Sequence, residues 1–176
     1  MIDPKDCTII VPTLIKKTKE MEYSFNSFHN SIIETRPKGT KLIVAANGGS
    51  NCIGSFLHVF EQGQCKAVNA AAATVNTPWI FVTNDDMIYA PGWFEKLTYD
   101  MEVNEIVCMS PKLVEPRKGA PTFIEYFCGG AGGDFDKAKW LEFAKNYQPN
   151  IPEGASISTD GIRLQYGFNL PFLIKR

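Results

Sequence analysis

Long hydrophobic runs are missing from this sequence of 176 residues. Apolar stretches such as Ile9–Val11, Trp79–Val82 and Ile106–Cys108 are strand-sized, far short of the roughly 20 residues that a helix needs to span a bilayer. Residues Met1 to Lys5 carry two charges and a proline, with no apolar segment of signal-peptide length behind them, so export is not expected. Excess charge is missing as well: Lys plus Arg number 18 against 19 Asp plus Glu. Without an overall positive field, neither a nucleic acid backbone nor an anionic membrane surface is an expected partner, and binding must come from a local site. The basic cluster Lys16-Lys17-Thr18-Lys19 is offset by Glu20 and Glu22 and reads as a solvated loop running into a helix.

Cysteine pairs are absent too. Cys7, Cys52, Cys65, Cys108 and Cys128 form an odd, widely spaced set without a CxxC. That suggests neither a disulfide framework nor a zinc knuckle and predicts reduced, buried thiols in a cytoplasmic protein, with one bridge in a secreted protein as the alternative. The only histidines, His29 and His58, sit on amphipathic or aromatic segments, where packing or surface roles outweigh catalysis. What is present is the composition of a globular domain, 44% hydrophobic and 21% charged. A chain of this length folds as a single domain and buries roughly two-thirds of its unfolded surface.

Strand and helix patterns alternate along the first two-thirds of the chain. Cys7-Thr8-Ile9-Ile10-Val11 is a β-branched run that Pro12 is expected to end. Met21, Phe25, Phe28 and Ile32 recur at helical spacing until Pro37 and Gly39, which predicts a helix with one apolar face. Lys41–Ala45 repeats the strand signature and runs into Asn47-Gly48-Gly49-Ser50-Asn51, a cluster suited to turns. Ala67–Val75 is alanine-rich, so a helix slim enough to press closely on a sheet is expected. Trp79–Thr83 lacks alternation, as a strand covered on both faces does, and delivers Asn84-Asp85-Asp86 to its end. Pro91 opens a further helix with Trp93, Leu97 and Met101 on its inner side, and Ile106–Ser110 supplies a fourth strand. Beyond Lys112 the pattern weakens, leaving a strand within Thr122–Phe127, a helix at Lys137–Asn146 and a final strand within Gly167–Ile174. The order calls for an α/β fold, a parallel sheet with helices on both faces, whose ligands bind outside the C-terminal strand ends.

Three loops follow strands and should converge on one rim: Pro12-Thr13-Leu14, Asn47 to Asn51, and Asn84-Asp85-Asp86. A hydroxyl, amides and carboxylates gathered there suit a nucleoside and a divalent cation held against a diphosphate. Adjacent carboxylates after a buried strand are costly without a cation to offset them. As a bland alternative, Asn84-Asp85-Asp86 is a solvated turn capping the next helix, Asn47-Gly48 a plain turn, and Lys66 a solvated lysine at a helix start.

The series strand-Pro-Thr, strand-Asn-Gly-Gly-Ser, Lys66-Ala67-Val68-Asn69-Ala70-Ala71 and Phe81-Val82-Thr83-Asn84-Asp85-Asp86 resembles family 2 glycosyltransferases in order and spacing. The likeness covers about residues 7 to 115, and the Pro91-Gly92-Trp93 helix start strengthens it. The resemblance implies a GT-A fold, a Rossmann-like three-layer sandwich with a mostly parallel central sheet. It implies a UDP-, GDP- or dTDP-linked sugar donor and a carbohydrate or glycan acceptor. It also implies Mn²⁺ or Mg²⁺ as cofactor, and an inverting transferase of the hexosyl type. In its terms Asp86 coordinates the metal, Asp85 contacts the sugar or the metal shell, and Asn84 replaces a carboxylate that usually faces the ribose. Pro12, Thr13, Leu14 and Asn47 line the nucleotide-sugar site, while Lys66 and Asn69 face the diphosphate, Lys66 as a point charge. Ala46 stands where the family commonly has an Asp, which leaves the choice of base open.

An inverting transfer needs a carboxylate to take the proton of the acceptor hydroxyl. The resemblance puts that acidic pair downstream of a strand like Gly167–Arg176, where the sequence stops. The base is therefore expected beyond Arg176, with Asp134 as a local substitute. Residues 1–115 would form the nucleotide-sugar-binding half of one domain and 116–176 the start of an incomplete acceptor half. A donor-binding fragment or remnant without transfer activity is the alternative, as is a sugar nucleotidyltransferase. The latter would want a glycine-rich basic loop after the first strand, which Pro12-Thr13-Leu14-Ile15 lacks. Gly129-Gly130-Ala131-Gly132-Gly133 fits neither a dinucleotide fingerprint nor a Walker loop and reads as a flexible loop or a bend.

Overall fold

The computed structural model of the chain describes residues 1–13, 19–47, 57–59, 63–111, 113–115, 123–126, 128–129, 135–146 and 171–176. Expectations for Leu14, for Gly48 to Asn51 and for Asp134 lie outside these residues. Among them the elements run β1 (Cys7–Thr13), α1 (Lys19–Thr35), β2 (Lys41–Asn47), β3 (Leu57–Val59), α2 (Gln64–Thr74), β4 (Trp79–Val82), α3 (Trp93–Val103), β5 (Cys108–Met109), β6 (Leu113–Glu115), β7 (Phe123–Glu125), α4 (Lys137–Asn146) and β8 (Phe172–Lys175). The main sheet has the order β3-β2-β1-β4-β8-β5, and β6 pairs with β7 apart from it. Strands β3, β2, β1 and β4 are mutually parallel, while β8 lies antiparallel between β4 and β5.

Every residue of β1 is buried, because its two faces meet two helix layers. On one side Cys7, Ile9 and Val11 join Phe81 of β4 and pack against Phe28 and Ile32 of α1 and Phe94, Leu97 and Met101 of α3. On the other, Ile10 joins Ala45, Ile80 and Val82 beneath Ala67 and Ala71 of α2. A strand with apolar neighbours on both faces has no reason to alternate, so the unbroken runs in the sequence report a central position. The result is an α/β, GT-A-like sandwich of three layers.

Several boundaries differ from expectation. Pro12 does not end β1, which continues to Thr13 with Pro12 opposite Ala45 of β2. On its other side β4 pairs only as far as Val82, opposite Ile10, and the Thr83 amide closes on the Ile10 carbonyl at 3.0 Å. Alternate residues of a strand aim their polar groups at the same neighbour, so the Pro12 nitrogen faces a side where pairing has already stopped and no donor is missed. β3 was not foreseen, and the fourth strand shrinks to Cys108–Met109. α3 starts at Trp93, not Pro91, with Gly92 as its N-cap in the left-handed region at φ 77°, a conformation that glycine adopts without a steric penalty.

The cysteines need a correction. Cys7 is buried, and burial pushes its thiol up to about 12. Cys65 is exposed, however, because it stands two positions before Ala67, on the side of α2 away from the buried face of Ala67 and Ala71, and Cys108 and Cys128 are half-buried.

That face tests the packing. Ala67 and Ala71 are fully buried, so a longer side chain has to displace the sheet. Ala71→Leu should cost about 1–3 kcal/mol in urea unfolding, whereas Ala73→Leu, at an exposed position of the same helix, should stay within about 0.5 kcal/mol of the parent. Equal effects at the two positions would contradict the close approach of α2.

Candidate donor site at the strand ends

The parallel registers bring the ends of β1, β2 and β4 to one rim, with Thr13 opposite Ala46 and Ile10 opposite Val82. Polar contacts then tie the rim together. The Thr13 hydroxyl donates to Asp85 Oδ2 at 2.5 Å. Beside it, Asn84 Oδ1 accepts from Gln64 Nε2 at 2.8 Å, linking the turn after β4 to the start of α2. Gly63, the N-cap of α2, donates its amide to Asn47 Oδ1 at 3.1 Å, which returns the chain of contacts to β2. Gly63 sits at φ 131°, a region that L side chains rarely adopt, so a side chain there would disturb the hand-over from Asn47 to α2.

Of the residues expected from sequence, Pro12, Thr13, Asn47, Asn84, Asp85 and Asp86 all lie at this rim. Asn47 is buried, and its oxygen is engaged by Gly63. Asn84 and Asp85 are half-buried, and Asp86 is exposed. Lys66 and Asn69 are both exposed on α2, Lys66 in its first turn, where its stem lies within 3.9 Å of where a Gly63 side chain would begin. Gly63 has no side chain to cap that helix start and Asn47 takes its amide, which leaves the partial positive charge of the first turn close to the rim.

Sequence reasoning missed the supports. Gln64 and Gly63 carried a signal, a glycine and a polar residue before an alanine-rich helix. Tyr89 and Ser31 carried none. The Tyr89 hydroxyl meets the buried Thr83 hydroxyl. Its ring packs edge-on against Phe28 and Phe81, and Trp93 is 4.8 Å away. Burial, then the negative charge of Asp86, raises the Tyr89 hydroxyl well above its usual range, against the opposing Thr83 hydrogen bond, so it stays neutral. Ser31 of α1 accepts the Tyr89 amide at 2.7 Å. The segment after Asp86 is therefore pinned to both the sheet and α1.

Among the described residues no three His, Cys, Asp or Glu side chains converge as a metal cage. Two adjacent carboxylates, one steadied by Thr13 and one exposed, suit a hard cation that takes its remaining ligands from a diphosphate and water. Asp136 is engaged elsewhere: its side chain accepts the Lys139 amide at 2.9 Å and caps α4.

The fold is α/β and GT-A-like, with polar and acidic residues gathered at its strand-end rim. The family model described as glycosyl transferase family 2 matches residues 55–120, a stretch that includes Lys66, Asn69 and Asn84-Asp85-Asp86. Over that stretch the chain is similar to family 2 glycosyltransferases. No curated protein matches the chain. None of the helices is long and apolar enough to cross a membrane, among the described residues.

The pinning of the post-strand segment can be measured. Ser31→Ala deprives the buried Tyr89 amide of its acceptor, which should cost about 1–3 kcal/mol and speed hydrogen exchange at Tyr89 specifically. Unchanged exchange at that amide would show that Ser31 does not hold the segment.

Proposed function

We propose that the rim binds a nucleotide-diphosphate sugar with a divalent cation, Mn²⁺ or Mg²⁺, and that the chain serves transfer of the sugar to a carbohydrate hydroxyl. The observation that carries this reading is the Thr13–Asp85 hydrogen bond of 2.5 Å. It fixes one carboxylate of an Asp-Asp pair where two parallel strands end, the position at which sheets of this kind hold ligands. Asp86, exposed beside it, would hold the cation, and Asp85 would orient the sugar or the metal shell. When bound, the cation neutralises charge on the departing diphosphate. Lys66 and the first turn of α2 would offer the phosphates a point charge and the backbone amides that follow Gly63. Pro12, Thr13 and Asn47 would wall the nucleoside, and Asn69 would lie further along α2.

The reaction breaks the bond between the anomeric carbon and the diphosphate oxygen and forms one to the acceptor oxygen, whose proton passes to a base. In this reading the transfer is inverting and of the hexosyl type, residues 1–115 supply the donor half, and later residues contribute to the acceptor side. Ala46 is fully buried and offers no carboxylate to a base edge, so UDP, GDP and dTDP form the panel to be compared.

Calorimetry with that panel should give binding in Mn²⁺ or Mg²⁺ that EDTA abolishes, since the acidic pair otherwise repels a diphosphate. Asp86→Ala should weaken it roughly ten- to hundredfold, the loss expected for one charged contact. Stability should change by no more than about 0.5 kcal/mol, as for an exposed substitution. Equal affinity in EDTA would sink the metal assignment, and an unfolded Asp86→Ala would give that residue a structural role instead.

A further inference from the structure

A second concavity, of about 460 Å³, lies between α1, the segment after the Asp pair, and the start of α4. That volume falls within the roughly 300–1,000 Å³ of small-molecule sites. None of Thr13, Asn47 and Asn84-Asp85-Asp86 lines it, so it is distinct from the rim. Its walls differ in character. One is the polar stripe of α1, with Ser27, Ser31 and Thr35 at every fourth position and Asn30 beside Ser27. The other is apolar, with Phe135, Trp140 and Leu141 from the start of α4.

Three details narrow the ligand. Glu34 and Lys137, which also line the cleft, pair with each other at 2.7 Å, so the cleft presents compensated charge and favours a neutral guest. Trp140 is held in place: its ring stacks on Phe143 at 6.0 Å, and Phe143 stacks on Tyr126 at 4.0 Å. Trp140 is only half-buried, so its ring is available to the cleft it lines. A neutral molecule with one apolar face and a rim of hydroxyls satisfies both walls at once. A sugar ring is that molecule: its C–H face can lie on the aromatic wall while its hydroxyls reach Asn30 and Ser27.

We propose that this cleft is a saccharide-binding subsite for a neutral oligosaccharide, separate from the donor rim. That the saccharide is the body of the acceptor chain rests on the transferase reading above; the binding itself does not. The site needs no cation and no nucleotide.

The test is NMR titration of the whole chain with the neutral disaccharides maltose, cellobiose, lactose and chitobiose, in EDTA and without nucleotide. At least one should shift the Trp140 indole resonance and the Asn30 side-chain amide together. Trp140→Ala removes the ring from the aromatic wall, and Asn30→Ala acts at an exposed helix position. Each should weaken binding roughly three- to tenfold, the effect of one aromatic contact or one neutral hydrogen bond, and leave nucleotide binding measured separately in Mn²⁺ unchanged. Absence of shifts with all four sugars, or affinity untouched by both variants, would overturn the proposal. Saccharide binding without nucleotide binding would uphold it while removing the transferase reading, and the reverse would do the opposite.

Discussion

The parallel pairing of β1 with β2 on one side and β4 on the other sets where every rim residue stands. Thr8 to Thr13 run opposite Lys41 to Ala46, and Cys7 to Ile10 run opposite Trp79 to Val82. A slip of one residue would send Ile9 and Val11 to the face of α2 and Ile10 to that of α1. The two cores exclude that slip, because large side chains such as Phe28 and Phe81 fill one face and alanines fill the other. Packing volume thus fixes register, and register fixes the height of Thr13 relative to Asp85.

Once those heights are fixed, short polar links do the rest. Thr13 to Asp85, Asn84 to Gln64, and Gly63 to Asn47 join three strands and one helix at their ends. Each contact is modest in net free energy, yet together they leave the carboxylate of Asp86 exposed next to a positioned Asp85. Tyr89 and Ser31 hold the outgoing chain, so the acidic turn is fastened on both sides. Such fastening is what a metal-dependent donor site needs before any ligand arrives.

Much of this was legible in the sequence because burial on both faces leaves a simple trace. The unbroken apolar runs of β1 and β4 and the alanines of α2 stated their own positions, and Lys137–Asn146 forms the helix its pattern predicts. Short strands left no such trace. Leu57–Val59 and Cys108–Met109 are too brief for periodicity to register. The insertion of β8 antiparallel between β4 and β5 is a long-range choice that no local pattern encodes. At the site, the residues with chemistry of their own were visible. Ser31 was not, since a serine between Phe28 and Ile32 reads as helix surface until Tyr89 is laid against it. Gln64 likewise gains meaning only from Asn84.

The central claim is that the three strand ends form one cation-dependent diphosphate site. Paramagnetic broadening by substoichiometric Mn²⁺, mapped on the backbone amides with and without a nucleoside diphosphate, tests it most directly. The account predicts broadening that needs the nucleotide, centres on Asn84 to Asp86, and extends to Thr13, Asn47 and the Gly63–Lys66 turn. Broadening centred on any other part of the chain, or none when nucleotide and Mn²⁺ are both present, would contradict it.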